Sequence, residues 1–136
     1  MTSIKAIRTD RELECPRIDA GLRGRGLELV TLPEGIPEEE LIAQVAHANL
    51  LLMCYTPITA RVIKAAPDLR GIVKYGVGID AIDIEAARCR GIPVVNVPGY
   101  AEETVAEGAF ALMILLESRV KALLRERDNR SATIKE

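Results

Sequence analysis

One stretch constrains this chain most: Val73-Lys-Tyr-Gly-Val-Gly-Ile-Asp80, then a helical segment, then Ile92-Pro-Val-Val-Asn-Val-Pro-Gly99. It reads as a buried strand, a glycine loop, a helix and a second buried strand, which is a βαβ unit with its turn open to a ligand. Glycines on either side of Val77 let main-chain N–H groups approach and converge on an anion without side-chain interference. The same run also carries Gly76-x-Gly78-x-x-Ala81, the loose spacing of a dinucleotide-binding turn.

The rest of the chain alternates in the same way. Ser3–Thr9 reads as a first strand and Arg11–Leu22 as a weaker helix interrupted by Pro16. Turn chemistry over Gly21–Gly26 leads into a second strand, Leu27–Leu32. Glu38-Glu-Glu opens a helix reaching about Ala48; acids in a first turn favour the helix dipole, so the triplet is a helix start and not a metal site. Asn49–Cys54 reads as a third strand, continuously apolar from Leu50 on, as in a strand buried on both faces. A helix ends near Ala66, before Pro67, and Gly71–Tyr75 is the fourth strand. Asp83 is a candidate N-cap and Gly91 the C′ residue of the following helix. Val94–Val97 is the fifth strand. Five strands with a helix between each pair predict a doubly wound α/β fold with a parallel sheet.

The last element differs. From about Glu102 to Asp128, apolar residues recur at Val105, Ala109, Leu112, Leu116, Val120 and Leu123. Such a helix extends on the order of 40 Å, whereas the strands it would cover span about 17–20 Å. Half of it is expected to overhang and to keep an apolar stripe for something else. Three units follow: residues 1–100 as the α/β domain, 101–128 as the long helix, and 129–136 as a frayed tail.

Composition excludes several classes. With 136 residues, 49% hydrophobic and 28% charged, the chain is one globular domain's worth. Aromatics are only 3%, so Ile, Leu, Val and Ala must build the core. A net charge of −2 offers nothing to nucleic acid or an anionic membrane, and no apolar run reaches the roughly 18 residues of a membrane span. Cys15, Cys54 and Cys89 are odd in number and unpaired by spacing, which predicts a reduced, cytoplasmic protein with Cys54 as a packed core thiol.

Position argues against a cofactor at the glycine loop. The dinucleotide turn normally follows the first strand of its unit, with an acid about 20 residues on; here the loop follows the fourth strand, and the corresponding region holds Asn96. Asp80 would also set a negative charge beside a pyrophosphate. On the residues alone the loop is either a cradle for a small carboxylate, through the N–H groups of Val77 and Gly78 with Tyr75 nearby, or a tight turn without a ligand. Asp10 and Glu12 are the only hints of a phosphoacceptor cluster.

Lys74–Asp83, Ala86-Ala87, Gly91–Gly99 and Glu103-Thr-Val-Ala-Glu107, in that order, resemble the N-terminal signature of the D-isomer-specific 2-hydroxyacid dehydrogenases. The resemblance is specific from about Asn49 to Arg127. It implies a flavodoxin-like substrate-binding (catalytic) domain with strand order 2-1-3-4-5. It further implies a substrate site at Tyr55, Thr56, Tyr75, Gly76, Val77 and Gly78, and places Thr104 and Val105 against the nicotinamide of NAD(P). In that family the long helix leads into a separate domain with the cofactor site and the catalytic Arg, Glu and His, none of which can be placed here; His47 reads as a surface residue. The expectation is an isolated substrate-binding half, truncated or engineered, that binds a small 2-oxo or 2-hydroxy acid weakly, holds no cofactor by itself and is inactive alone. A homodimer through the 102–127 helix is the expected partner, and a stand-alone small-acid sensor or helix-mediated interaction module is the alternative.

Overall fold

The computed structural model describes residues 3–133. Five strands, β1 (Ile4–Arg8), β2 (Leu27–Thr31), β3 (Leu50–Met53), β4 (Gly71–Lys74) and β5 (Val94–Val95), form one sheet in the order β2-β1-β3-β4-β5. All neighbours pair in parallel, with Ile7 opposite Val30 and Leu51, and Leu51 opposite Ile72. This is the doubly wound order that the resemblance implies. Helices α1 (Pro16–Gly24), α2 (Glu38–Val45), α3 (Ala60–Ala65) and α4 (Ile84–Cys89) make the crossovers. Ile7, Leu51, Met53 and Ile72 from the central strands meet Leu41 and Val45 of α2 and Val62 and Ile63 of α3 in a continuous core. No aromatic residue is among the buried members of this core, as the scarcity of aromatics requires.

Pro16 does not interrupt a helix but begins one. Arg11–Leu13 form a separate 3-10 turn, and Pro16 takes the first position of α1, where its missing N–H has no intrahelical acceptor to lose. One turn on, Asp19 is buried and forms a double hydrogen bond with the guanidinium of Arg8, which is itself fully buried in β1. The Asp83 cap and the Gly91 terminus are as expected: Asp83 Oδ1 accepts from Ala86 N at 2.9 Å, and Gly91 has a φ of 64°.

β5 is shorter than expected, ending at Val95 instead of Val97. The next two residues turn to the glycine loop, Asn96 through its side-chain amide and Val97 through its backbone N–H. Past Pro98 the chain forms a second compact unit, Gly99–Glu136. Its helix α5 (Glu102–Thr133) runs 32 residues, past the expected end at Asp128 and into the stretch expected to fray; residues 134–136 of that tail lie outside the described residues. The apolar positions of α5, including Val105, Leu112, Leu116, Val120 and Leu123, are exposed. Among the described residues no helix is long and apolar enough to cross a membrane.

Candidate functional site

In a parallel sheet every strand ends on the same edge, and ligands collect outside the carboxyl ends. The loops after β1, β3 and β4 meet there, bringing Asp10, Tyr55–Thr56 and Tyr75–Gly78 together. His47 lies exposed in the turn that precedes β3, at the opposite edge of the sheet and away from this cluster.

The glycine loop is held by its carbonyls. Val97 N donates to Gly76 O at 2.9 Å, and Asn96 Nδ2 donates to Val77 O at 2.7 Å. A trans peptide points its N–H opposite to its own C=O, so tying these two carbonyls to the β5 side turns the N–H groups of Val77 and Gly78 the other way. Neither N–H donates to any acceptor among the described residues, and Val77 is 42% exposed. Two neighbouring, outward amides with no protein acceptor can receive one carboxylate. Asn96 thus braces the loop instead of facing a ligand.

Both glycines have steric reasons. Gly76 has a φ of 150°, and a Cβ there would stand 3.3 Å from Lys74 Cε. A Cβ on Gly78 would meet Asp80 Oδ2 at 3.1 Å. That acidic neighbour, and the use of Asp83 to cap α4, make the turn a poor seat for a pyrophosphate, which would need the helix N-terminus free and uncharged. The residues of this loop do not fit a dinucleotide.

The facing loop is fixed by Asp10, which its place in the sequence marks only as a hint of a phosphoacceptor. Asp10 is buried, and its carboxylate accepts from Cys54 N at 2.7 Å, Tyr55 N at 3.2 Å, Thr56 N at 3.1 Å, Thr56 Oγ1 at 3.0 Å and Thr9 Oγ1 at 2.7 Å. Burial pushes its pKa up, but these donors outweigh burial and hold it below the ordinary value. Thr56 is therefore buried with its hydroxyl committed inward, whereas Tyr55 is 68% exposed. A cavity of about 360 Å³ opens beside them, lined by Asp10, Glu12, Glu34, Tyr55, Thr56 and Pro57.

Tyr75 ties the two loops together through its backbone: its N–H donates to Met53 O at 2.8 Å, and its carbonyl accepts from Cys54 Sγ at 2.9 Å. Cys54 is the buried thiol that its apolar run predicts. The hydrogen bond to Asp19 raises the Arg8 pKa and lowers that of Asp19; the Tyr75 side chain adds a smaller upward pull on Arg8. Lys74 is a second residue of the rim that the sequence does not single out: it is buried, with its ammonium on Cys54 O and over the Tyr55 ring. Thr104 and Val105 stand in the first turn of α5, in the second unit. Among the described residues no group of His, Cys, Asp and Glu could hold a metal ion.

Known proteins resemble this chain in sequence and in fold. The model of the "D-isomer specific 2-hydroxyacid dehydrogenase, catalytic domain" family matches residues 6–133. A D-3-phosphoglycerate dehydrogenase of Archaeoglobus fulgidus is 42% identical over 100 residues, 73% of this chain and 19% of that protein. A glyoxylate reductase of Korarchaeum cryptofilum is 44% identical over 81 residues, 59% of this chain and 24% of that protein. Among solved structures, a Thermus thermophilus protein aligns with a TM-score of 0.79 at 34% identity, over 92% of this chain and 40% of that one. The NAD+-bound 3-phosphoglycerate dehydrogenase of Entamoeba histolytica aligns at 0.72 and 29%, over 83% and 39%. The chain thus spans about a fifth to a quarter of the length of these curated relatives. On the match over residues 6–133, it belongs to the D-isomer-specific 2-hydroxyacid dehydrogenase family.

Proposed function

We propose that this chain is the substrate-binding part of a D-2-hydroxyacid dehydrogenase-like protein, whose reaction is the NAD(P)-dependent interconversion of 2-oxo acids and D-2-hydroxy acids. The observation that carries this reading is the pair of outward amides at Val77 and Gly78, aimed by the hydrogen bonds on their partner carbonyls. They take the acid's carboxylate, with Tyr55 and Thr56 bordering its substituent and Gly76 allowing the approach.

Bound nicotinamide would accept or deliver the hydride. Thr104 and Val105 are the residues of this chain assigned to face it, and the remaining cofactor contacts belong to another part of the protein. General acid–base chemistry needs a positioned proton carrier, and His47 stands at the wrong edge of the sheet. By themselves these 136 residues therefore bind the acid without oxidising it. The setting is cytoplasmic, and the exposed stripe of α5 at Leu112, Leu116, Val120 and Leu123 pairs two copies when nothing else covers it.

An NMR titration of the labelled chain with glyoxylate, pyruvate and NAD tests the reading. Shifts at Val77 and Gly78 with the two acids and none with NAD support it. No response to the acids, or the same response to NAD, would overturn it. Oxidation of a D-2-hydroxy acid by the purified chain with NAD would refute the claim of inactivity, and a monomeric sedimentation profile unchanged by Leu116→Glu would refute the pairing.

A further inference from the structure

Lys74 is 8% exposed, at the last position of β4, and its side chain lies against Gly76, with Cε 3.3 Å from where a Cβ on that residue would stand. The ammonium donates to Cys54 O, lies 3.5 Å from Cys54 Sγ and sits 5.6 Å from the centre of the Tyr55 ring. None of the three is a carboxylate. Among the described residues no carboxylate lies within 4.0 Å of it. Asp10 is engaged on the N–H side of Cys54, while Lys74 holds the carbonyl side. An ammonium also has three donors, and Cys54 accounts for two.

A buried ammonium with no carboxylate partner favours the arrival of a negative charge to meet it. The other buried cation of this domain, Arg8, has its carboxylate in Asp19. Lys74 has none, and its Nζ stands 3.7 Å from where a Cβ on residue 76 would be. Because that residue is glycine, no side chain separates the ammonium from the loop that presents the Val77 and Gly78 amides.

We propose that Lys74 is the counter-charge for the bound acid: the amides orient the carboxylate, and the ammonium beside Gly76 supplies the positive potential that selects an anion over a neutral isostere. This rests on the reading of the loop as a carboxylate cradle and adds the source of its charge selectivity. Two charges a few ångströms apart across partly buried backbone change affinity by about tenfold.

The test compares D-lactate with D-lactamide, its uncharged isostere, by following the Val77 and Gly78 amides and the Lys74 Nζ resonance in the labelled chain. Lactate is expected to bind about tenfold more tightly than lactamide, and to move the Nζ resonance where lactamide does not. Lys74→Met should remove that preference by weakening lactate alone, and Lys74→Arg should keep it. Equal losses for acid and amide in Lys74→Met, or unchanged lactate binding, would overturn the proposal. If Lys74→Met does not fold, the Nζ resonance of the unmodified chain decides, and its indifference to lactate overturns the proposal. No response of Val77 and Gly78 to either ligand would remove the cradle itself, which is a distinct result.

Discussion

The carboxylate of Asp10, at the end of β1, takes both the backbone N–H and the hydroxyl of Thr56, at 3.1 and 3.0 Å, across 46 residues of sequence. With Cys54 and Tyr55 donating to the same group, one buried acid sets the course of the loop after β3.

Asp10→Ala should therefore cost about 3–5 kcal/mol, because it strands several donors in a dry site. Asp10→Asn keeps one acceptor oxygen and should cost less. Urea denaturation of the two variants gives the order; equal costs would show that shape matters here and charge does not.

Acid should weaken the fold through Asp10 and Asp19. Both are held below the ordinary value of 3.8, so as pH falls the unfolded chain takes up their protons first. Their contribution is complete above about pH 4 and is lost as pH drops through that value toward the folded ones. Stability measured from about pH 7 to about pH 2 should fall in that window, and Asp10→Asn with Asp19→Asn should flatten the slope.

Arg8 and Asp19 form a pair in which neither partner can be removed cheaply. Asp19→Ala leaves a fully buried guanidinium without its carboxylate and should cost about 3–5 kcal/mol. Replacing both, Arg8→Met with Asp19→Leu, should recover most of that loss. A double variant as weak as the single one would place the cost in packing around α1.

The two loop glycines should separate. Gly76→Ala meets both a positive φ and the Lys74 stem, and should cost about 1–3 kcal/mol. Gly78→Ala meets only the end of an exposed carboxylate and should stay within about 1 kcal/mol. Thermal unfolding of both variants checks the ranking.

Asn96→Ala frees the Val77 carbonyl without emptying the core. Stability should move by no more than about 1 kcal/mol, while glyoxylate binding weakens roughly fivefold as the Gly78 N–H loses its aim. An unchanged affinity would leave Val97 as sufficient to hold the loop.

Much of the fold is legible from residue order, and the exceptions have physical reasons. The apolar run of β3 can only be a strand covered on both faces, and Asp83 with Gly91 bracket α4 by local chemistry alone. Pro16 reads two ways because the same residue breaks a helix from inside and begins one from its first turn; the residues alone leave that choice to the burial of Asp19. β5 looks longer in sequence because Asn96 and Val97 continue its pattern, while their donors serve carbonyls on the loop after β4. Asp10 and Lys74 are unreadable for a related reason. Each is fastened to main-chain groups on the loop after β3, and a main-chain partner leaves no letter in the sequence.

Cys54 is gripped from both sides, its N–H by Asp10 of the first strand's exit and its carbonyl by Lys74 of the fourth. Three strand exits are thereby fastened into one rim before any ligand arrives. The entropy of arranging that rim falls on folding and not on association. Any ligand that met this rim would find little to reorganise, so its association should be limited by encounter and desolvation.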